Sequence, residues 1–305
     1  MNRVIHALNV PKVAPEHLAV LSRFFSSTVI REMARRGRSP MFARLASQSP
    51  LLHLKPALDS VGSVFEAAFN VLTREGNRDE YIYKAAITRN VLFGKHSLQT
   101  ASMLNEFRVG ECKADIAILN GTATVYEVKS ERDSLTRLER QVNAYMKVFA
   151  RVYVIAAESH VDAVLACVPN DVGILRLNRR LQISPVRDVP ERPERTFPDA
   201  IFDCIRTHEA RLILTACGVQ VPNVPNTAIN SILRELFVRL DARQAHHGMV
   251  RVLKKTRNLL PLSELVGQLP PSLHTAALSV PLRKLDHARL VTAVNTRLAD
   301  AIAWT

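Results

Sequence analysis

Two acidic residues and a lysine stand at the ends of two short apolar runs, where they could share one cation. Asp115 begins the run Ala-Asp-Ile-Ala-Ile-Leu, and Glu127 and Lys129 end the run Tyr-Glu-Val-Lys. Because side chains alternate along a strand, Glu127 and Lys129 project from the same face. Two convergent carboxylates repel each other unless a hard cation such as Mg²⁺ lies between them. Such a site is suited to hydrolysing a phosphodiester with metal-activated water, and the lysine would stabilise the developing charge.

The turn between the two runs decides whether the acids converge. Asn120-Gly121 is a strong hairpin signal between apolar segments. A strict two-residue turn would pair Asp115 with Tyr126, whereas a three-residue loop or a bulge would pair Asp115 with Glu127. Because the chemistry needs convergent carboxylates, we predict a bulged hairpin or a bend of the strand at Asp115.

A surface strand whose Glu127 and Lys129 face water is the competing interpretation, because Glu-x-Lys is a common tripeptide. The aspartate twelve positions upstream of Glu127, the hairpin and the helix that follows favour a site. In that helix Gln141 and Tyr145 share one face with Arg137. This stripe either lines the site or forms a polar rim beside a core tyrosine.

Composition changes along the chain predict four regions. Residues 1–73 are basic and helical, 74–183 form an α/β core, 184–198 form an exposed proline-rich linker, and 199–305 are helical. The core is expected to hold a mixed sheet with helices on both faces. The predicted elements of the core, in chain order, are helix 79–92, strands 102–108, 114–119 and 123–129, helix 134–149, strand 151–156, helix 160–168 and strand 172–177. Helices are also predicted at 17–33 and 61–72, and at 199–217, 227–243, 262–269 and 286–304.

This pattern resembles the PD-(D/E)XK nuclease superfamily, whose restriction-endonuclease-like core has the order αβββαβ. The resemblance covers residues 75–180 and is closest to a poorly characterised bacterial and prophage-associated branch. It implies that Asp115, Glu127 and the backbone carbonyl of Val128 ligate Mg²⁺ or Mn²⁺ and that Lys129 serves the attacking water. Glu80 is the candidate for a further acid on the preceding helix. Gln141 and Tyr145 match the Q-x-x-x-Y motif of RecB-type nucleases. The proline usual before the first acid is replaced by Ala114.

A net charge of +13 favours a polyanionic partner, with DNA favoured over RNA by the resemblance. Solvated helix faces are the alternative explanation of this charge. Candidate contacts to the nucleic-acid backbone are Arg31, Arg35, Arg36, Arg137, Arg251, Lys254 and Lys255.

Other classes lack their signatures. The sequence has no His-Glu-x-x-His motif, no Walker loop and no dinucleotide fingerprint, and its four cysteines are widely spaced. No segment reaches the length of a membrane span. We therefore expect a cytoplasmic metal-dependent deoxyribonuclease that acts without a membrane, and that could work as a homo-oligomer or within a larger complex. The alternatives are a catalytically idle DNA-binding or assembly module with the same fold, and an RNA-cleaving toxin or defence effector.

Overall fold

The computed structural model describes residues 14–53 and 59–305, so the first thirteen residues of the predicted N-terminal region lie outside it. Helices precede and follow a central α/β portion. The helices before the sheet are α1 (Pro15–Phe24), α2 (Ser27–Arg36), α3 (Pro40–Gln48), α4 (Val61–Leu72) and α5 (Glu80–Ile87). Within the sheet region lie α6 (Leu138–Met146) and α7 (Val161–Cys167). The helices after the sheet are α8 (Pro198–Cys204), α9 (Thr207–Ala216), α10 (Asn226–Val238), α11 (Ala242–Thr256), α12 (Ser263–Gln268), α13 (His274–Ser279), α14 (Lys284–Asn295) and α15 (Leu298–Ala301).

Six strands form one mixed sheet in sequential order. The strands are β1 (Ser102–Val109), β2 (Cys112–Leu119), β3 (Ala123–Lys129), β4 (Arg151–Ala156), β5 (Gly173–Leu177) and β6 (Ile183–Arg187). β1, β2 and β3 form an antiparallel meander, β3, β4 and β5 are parallel, and β6 returns antiparallel to β5. The protein is therefore a mixed α/β protein, with helical extensions before and after the sheet along the chain.

Each face of the sheet carries its own hydrophobic core. The first core joins Tyr126 and Val128 of β3 to α1–α5 and α12–α15. The second core joins Val125 of β3 to α6–α11. Alternate residues of β3 thus enter different cores, because successive side chains of a strand point to opposite faces. The N-terminal and C-terminal helices are parts of these two cores, and the sheet lies between them.

Several predicted helices are divided where the chain turns. The expected helix 17–33 is α1 and α2, which are separated at Phe25 and Ser26. Similarly, 199–217 is α8 and α9, and 286–304 is α14 and α15. Apolar periodicity continues across each short break, because both halves face the same core, and so periodicity alone did not reveal the turns.

Most residues of the segment 184–198 are exposed or partly exposed, as expected of a linker, but the segment is also attached to the sheet. Its first residues belong to β6, where Pro185 pairs with Leu175 of β5. Further along, Pro193 and Thr196 are buried, and the backbone N–H of Arg192 donates to the carbonyl of Ala150. Proline is tolerated in an edge strand because one row of its N–H groups has no partner strand. The proline-rich composition therefore marks the edge of the sheet here.

No helix in the described ranges is long and apolar enough to cross a membrane.

Buried His246 makes the stability of the fold sensitive to acid. It is fully buried on α11, and its Nε2 accepts the backbone N–H of Ala123 at 3.3 Å. Burial, and then the neighbouring His247, lower the pKa of His246 to about 4. Because the unfolded state binds the proton first, stability is complete above pH ~6.5 and falls as the pH drops towards 4, by about 3 kcal/mol.

The measurement is urea unfolding at several pH values, with His246→Gln as the matched variant, since the Gln amide oxygen can accept the same N–H without titrating. We expect the wild-type unfolding free energy to fall more steeply than that of the variant between pH 6.5 and 4. Equal slopes for the two proteins would refute the role of His246.

Candidate active site

The β2–β3 hairpin has the register of a three-residue loop, as the convergence of the acids required. Leu119 pairs with Ala123 and Ile116 pairs with Tyr126, which places Asp115 opposite Glu127. Gly121 in the loop has a φ of +111°, a conformation that side chains rarely adopt. The hairpin therefore departs from a strict two-residue turn, as predicted, and its register brings Asp115 opposite Glu127.

The strand is also irregular at Asp115 itself. The β1–β2 ladder passes from the pair Asn105–Ile116 to the pair Phe107–Ala114, omitting Glu106 and Asp115 between them. Glu106 has a φ of +54°, an uncommon conformation for a residue with a side chain. Glu106 of β1 therefore lies beside Asp115 of β2, and Glu127 of β3 lies on the other side of Asp115. Three acids from three neighbouring strands converge on one region.

The side chain of Asp115 binds a backbone N–H of β3 that would otherwise pair with the backbone of β2. Its Oδ2 accepts the N–H of Val128 at 2.8 Å, beyond the last paired residue of β2. The N–H and C=O of one strand residue point to the same side of the strand. The carbonyl of Val128 therefore lies on the side of β3 that faces Asp115, as the predicted ligand set requires.

Glu127 is held by a network that includes both residues of the predicted Q-x-x-x-Y motif. Lys129 Nζ lies 2.9 Å from Glu127 Oε1 and donates to Gln141 Oε1 at 3.1 Å. Gln141 Nε2 donates to Glu127 Oε1 at 2.6 Å, and the Tyr145 hydroxyl donates to Glu127 Oε2 at 2.9 Å. α6 thus presents Gln141 and Tyr145 one turn apart to the end of β3. Both glutamate oxygens have partners, so the position of this carboxylate is fixed before any ligand binds.

A second group of acids surrounds Lys84, which the sequence interpretation missed. Its Nζ lies 2.5 Å from Glu80 Oε1, 2.5 Å from Glu106 Oε1 and 3.7 Å from Asp115 Oδ1. Oxygen atoms of these three acids lie within 4.8 Å of one another, close enough to hold a metal ion. Glu80 therefore reaches the site as predicted, but in an ion pair with Lys84. The (i, i+4) spacing of Glu80 and Lys84 was a usable sequence signal, whereas Glu106 depended on the fold of β1.

Burial and mutual repulsion act on the two central carboxylates. Burial, and then the charge of Glu127, raise the pKa of Asp115, and Lys84 only partly opposes this shift. Burial also raises the pKa of Glu127, and Lys129 opposes it. Burial disfavours the charge on Lys84, but Asp115 and Glu80 more than compensate, so the pKa of Lys84 is raised. Burial therefore disfavours the charged forms of both carboxylates, and a cation bound between them would favour those charged forms.

The carboxylates open on a cavity of about 290 Å³. Asp115, Glu127, Lys129 and Gln141 line it, together with Arg137 and Arg140 at the start of α6. Arg137 is exposed at the N-terminal end of α6, as a phosphate-contacting residue should be. Arg140 also lines the cavity, and the sequence interpretation missed it. Its spacing of three residues from Arg137, which places both on one side of the helix, was the available signal.

The other predicted basic contacts are not gathered at this cavity. Arg31, Arg35 and Arg36 are exposed on α2, which belongs to the first core. Arg251, Lys254 and Lys255 lie on α11, which belongs to the second core. Only Arg137 of the predicted set lines the site. The fold thus distributes these cations over helices on both sides of the sheet.

Fold and site together define a mixed α/β protein with a buried acid–lysine cluster at the open end of a hairpin. The family described as Bacteriophage P4 protein cII matches residues 73–256, more than half of the chain, and the chain belongs to this family. It is 35% identical to Protein cII of Enterobacteria phage P4 over 86 residues, which are 28% of this chain. That match spans 33% of the length of the phage protein. A solved structure, the SPO1766 protein of unknown function from Silicibacter pomeroyi, is 20% identical, with a TM-score of 0.28, over 39% of this chain and 81% of that one.

Proposed function

We propose that this protein is a metal-dependent nuclease that hydrolyses phosphodiester bonds, with DNA as its substrate. The observation that carries the proposal is the placement of Asp115 opposite Glu127, with Lys129 held beside Glu127. Two acids and a lysine at this spacing fit a site that holds a divalent cation next to a phosphate.

The donor set fits Mg²⁺ or Mn²⁺. These ions prefer oxygen ligands, and Asp115 of β2 with Glu127 and the carbonyl of Val128 of β3 offer three from neighbouring strands. Glu80 and Glu106 add carboxylates beside Asp115. When bound, the ion would supply an activated water and positive charge at the phosphate. The four carboxylates pair with Lys84, Lys113 and Lys129, which leaves one negative charge that a further cation would balance.

The protein's own side chains have distinct parts in this proposal. Lys129 donates to the attacking water or to the developing negative charge, from a position fixed by Glu127 and Gln141. Tyr145 holds the second oxygen of Glu127, which leaves that carboxylate a single orientation. Arg137 at the mouth of the cavity contacts the phosphate backbone of the substrate.

The finer fold assignment is part of the same proposal. The order α5, the meander β1–β3, α6 and β4 supports a restriction-endonuclease-like core of the PD-(D/E)XK superfamily, for which the order αβββαβ is expected. The acids lie on the second and third strands of the meander and the lysine ends the third, which is where the resemblance requires them. Membership of a phage protein family accords with a prophage-associated branch.

The test is incubation of the purified protein with plasmid DNA, linear DNA and RNA, each with Mg²⁺, with Mn²⁺ and with EDTA. We expect DNA cleavage that requires the cation. A preparation of Asp115→Asn made in parallel controls for contaminating nuclease and should leave the DNA intact. Cleavage in EDTA, or equal cleavage by Asp115→Asn, would contradict the proposal, and cleavage of RNA alone would assign the site to an RNA-directed effector.

A second candidate function is a catalytically idle DNA-binding or assembly module. The ion pairs of Lys84 favour it, because an ammonium group already occupies the centre of the acids Glu80, Glu106 and Asp115. The discriminating result is cation-independent DNA binding with no cleavage under any of the conditions above.

A further inference from the structure

A larger cavity, of about 710 Å³, lies apart from the acid–lysine site. It is lined by Thr124 and Tyr126 of β3 and by Arg151 at the start of β4. Tyr126 packs in the first core, on the face of the sheet opposite to Glu127. The volume of this cavity is in the range of pockets that hold small organic ligands, ~300–1,000 Å³. The nuclease proposal makes no use of this cavity.

Two aromatic rings form the floor. Tyr126 and Tyr153 are stacked, with ring centroids 5.7 Å apart and planes 13° apart. A Cβ at Gly173 would lie 2.2 Å from the Tyr153 ring, so glycine is needed for this ring position. The Tyr153 hydroxyl donates to Asp188, which anchors the ring from the other end. The two rings are therefore held in place, and the 7% of each tyrosine that stays exposed offers an aromatic contact to a planar ring in the cavity.

One wall carries hydrogen-bond donors without partners. The Nε of Arg151 and the Oγ1 of Thr122 are buried, and neither has a hydrogen-bond partner among the described residues. The same cavity is lined by Lys95, which is exposed, and by His96. Buried polar groups in native proteins normally have partners, so an acceptor bound at the Arg151 guanidinium, beside the charge of Asp188, would complete hydrogen bonding that the described residues leave open. A phosphate group is the acceptor that arginine and a hydroxyl bind best together.

The cavity also carries acceptors. Asp188 and Glu191, both exposed, line the cavity from the segment after β6. Asp188 accepts the hydroxyl of Tyr153 and the backbone N–H of Val189, and its charge also faces Arg151 and Lys95. A ligand that fits these groups carries an anionic group for Arg151 and Lys95, hydrogen-bond donors for Asp188 and Glu191, and a flat ring for the tyrosines.

We propose that this cavity binds a nucleotide. The phosphate lies against Arg151 and Thr122, with Lys95 nearby. The base lies on the tyrosine floor, with its amino groups and the ribose hydroxyls towards Asp188 and Glu191. This proposal is independent of the nuclease proposal, because it uses none of the acid–lysine residues.

The test is isothermal titration of the full chain with AMP, GMP, CMP and UMP, with inorganic phosphate, with adenosine, and with a 5′-phosphorylated pentathymidylate. We expect at least one mononucleotide or the oligonucleotide to bind with a Kd below about 1 mM. Tighter binding of a mononucleotide identifies a free nucleotide as the ligand, and tighter binding of the oligonucleotide identifies the end of a strand.

Arg151→Met and Thr122→Val remove the two unpaired donors, and Arg239→Met, an exposed arginine on no wall of the cavity, is the matched control. Each cavity variant should weaken binding by about tenfold or more while the control leaves it unchanged. Circular dichroism checks that each variant is folded. Absence of nucleotide binding at about 5 mM, equal weakening by Arg239→Met, or phosphate binding as tightly as the nucleotide would overturn the proposal.

Discussion

Asp115→Asn and Lys129→Met should each lower the rate of DNA cleavage by about 10³-fold, but only Asp115→Asn should also weaken the binding of Mn²⁺. Asp115 is at the centre of the carboxylate cluster and would be a ligand. Lys129 is a donor beside Glu127 and would act on the reacting groups. Loss of the carboxylate charge removes a ligand, whereas loss of the ammonium removes stabilisation of the transition state and leaves the oxygen ligands in place.

The measurement is cleavage rate and Mn²⁺ titration on the same preparations. Asp162→Asn and Lys147→Met, which change exposed residues outside the site, are the matched controls and should leave both quantities unchanged. If Lys129→Met cleaves as fast as the wild type, the lysine has no part in the chemistry. If Asp115→Asn binds Mn²⁺ normally, the cation is held elsewhere.

Lys84→Gln should destabilise the protein without divalent cations, and Mg²⁺ should restore the stability. The Lys84 side chain is only 11% exposed, and it pairs with Glu80, Glu106 and Asp115. Removing it leaves three neighbouring carboxylates without their shared cation. We expect the free energy of unfolding to fall by about 2 kcal/mol, below the usual cost for a buried pair because Glu80 and Glu106 reach solvent.

Urea unfolding with EDTA and with millimolar Mg²⁺ measures this effect. A cation that binds only the folded state stabilises it, so Mg²⁺ should raise the stability of the variant more than that of the wild type. Lys113→Gln is the comparison, because Lys113 also pairs with Glu106 but is 60% exposed, and its loss should cost under about 1 kcal/mol. Equal stability of Lys84→Gln and wild type in EDTA would contradict the role of this lysine, as would a variant that Mg²⁺ does not restore.

Five of the six strands were predictable from the sequence to within two residues at each end. β3 and β4 have the predicted bounds, because continuous apolar runs bounded by turn residues identify buried strands. β6 was missed, because Pro185 indicates a linker unless the strand is known to lie at an edge. The first turn predicted for α6 is instead a loop in which the Asp133 carboxylate accepts the N–H and hydroxyl of Ser130.

The sequence by itself determined the hairpin and the order of acids and lysine along it. Those properties depend on local turn chemistry and on the two-residue period of a strand, both of which act over a few residues. It also determined that Gln141 and Tyr145 share one helix face, since their spacing of four residues is a property of the helix alone.

Only the tertiary structure decided which charges meet. Lys84 comes from α5 and Glu106 from β1, and nothing between them along the chain fixes their distance from Asp115. The same is true of the cavity over Tyr126 and Tyr153, whose shape depends on Gly173 of a third strand. Contacts between distant segments are set by how whole elements pack against the two faces of the sheet, and that packing is a collective property that no local pattern specifies.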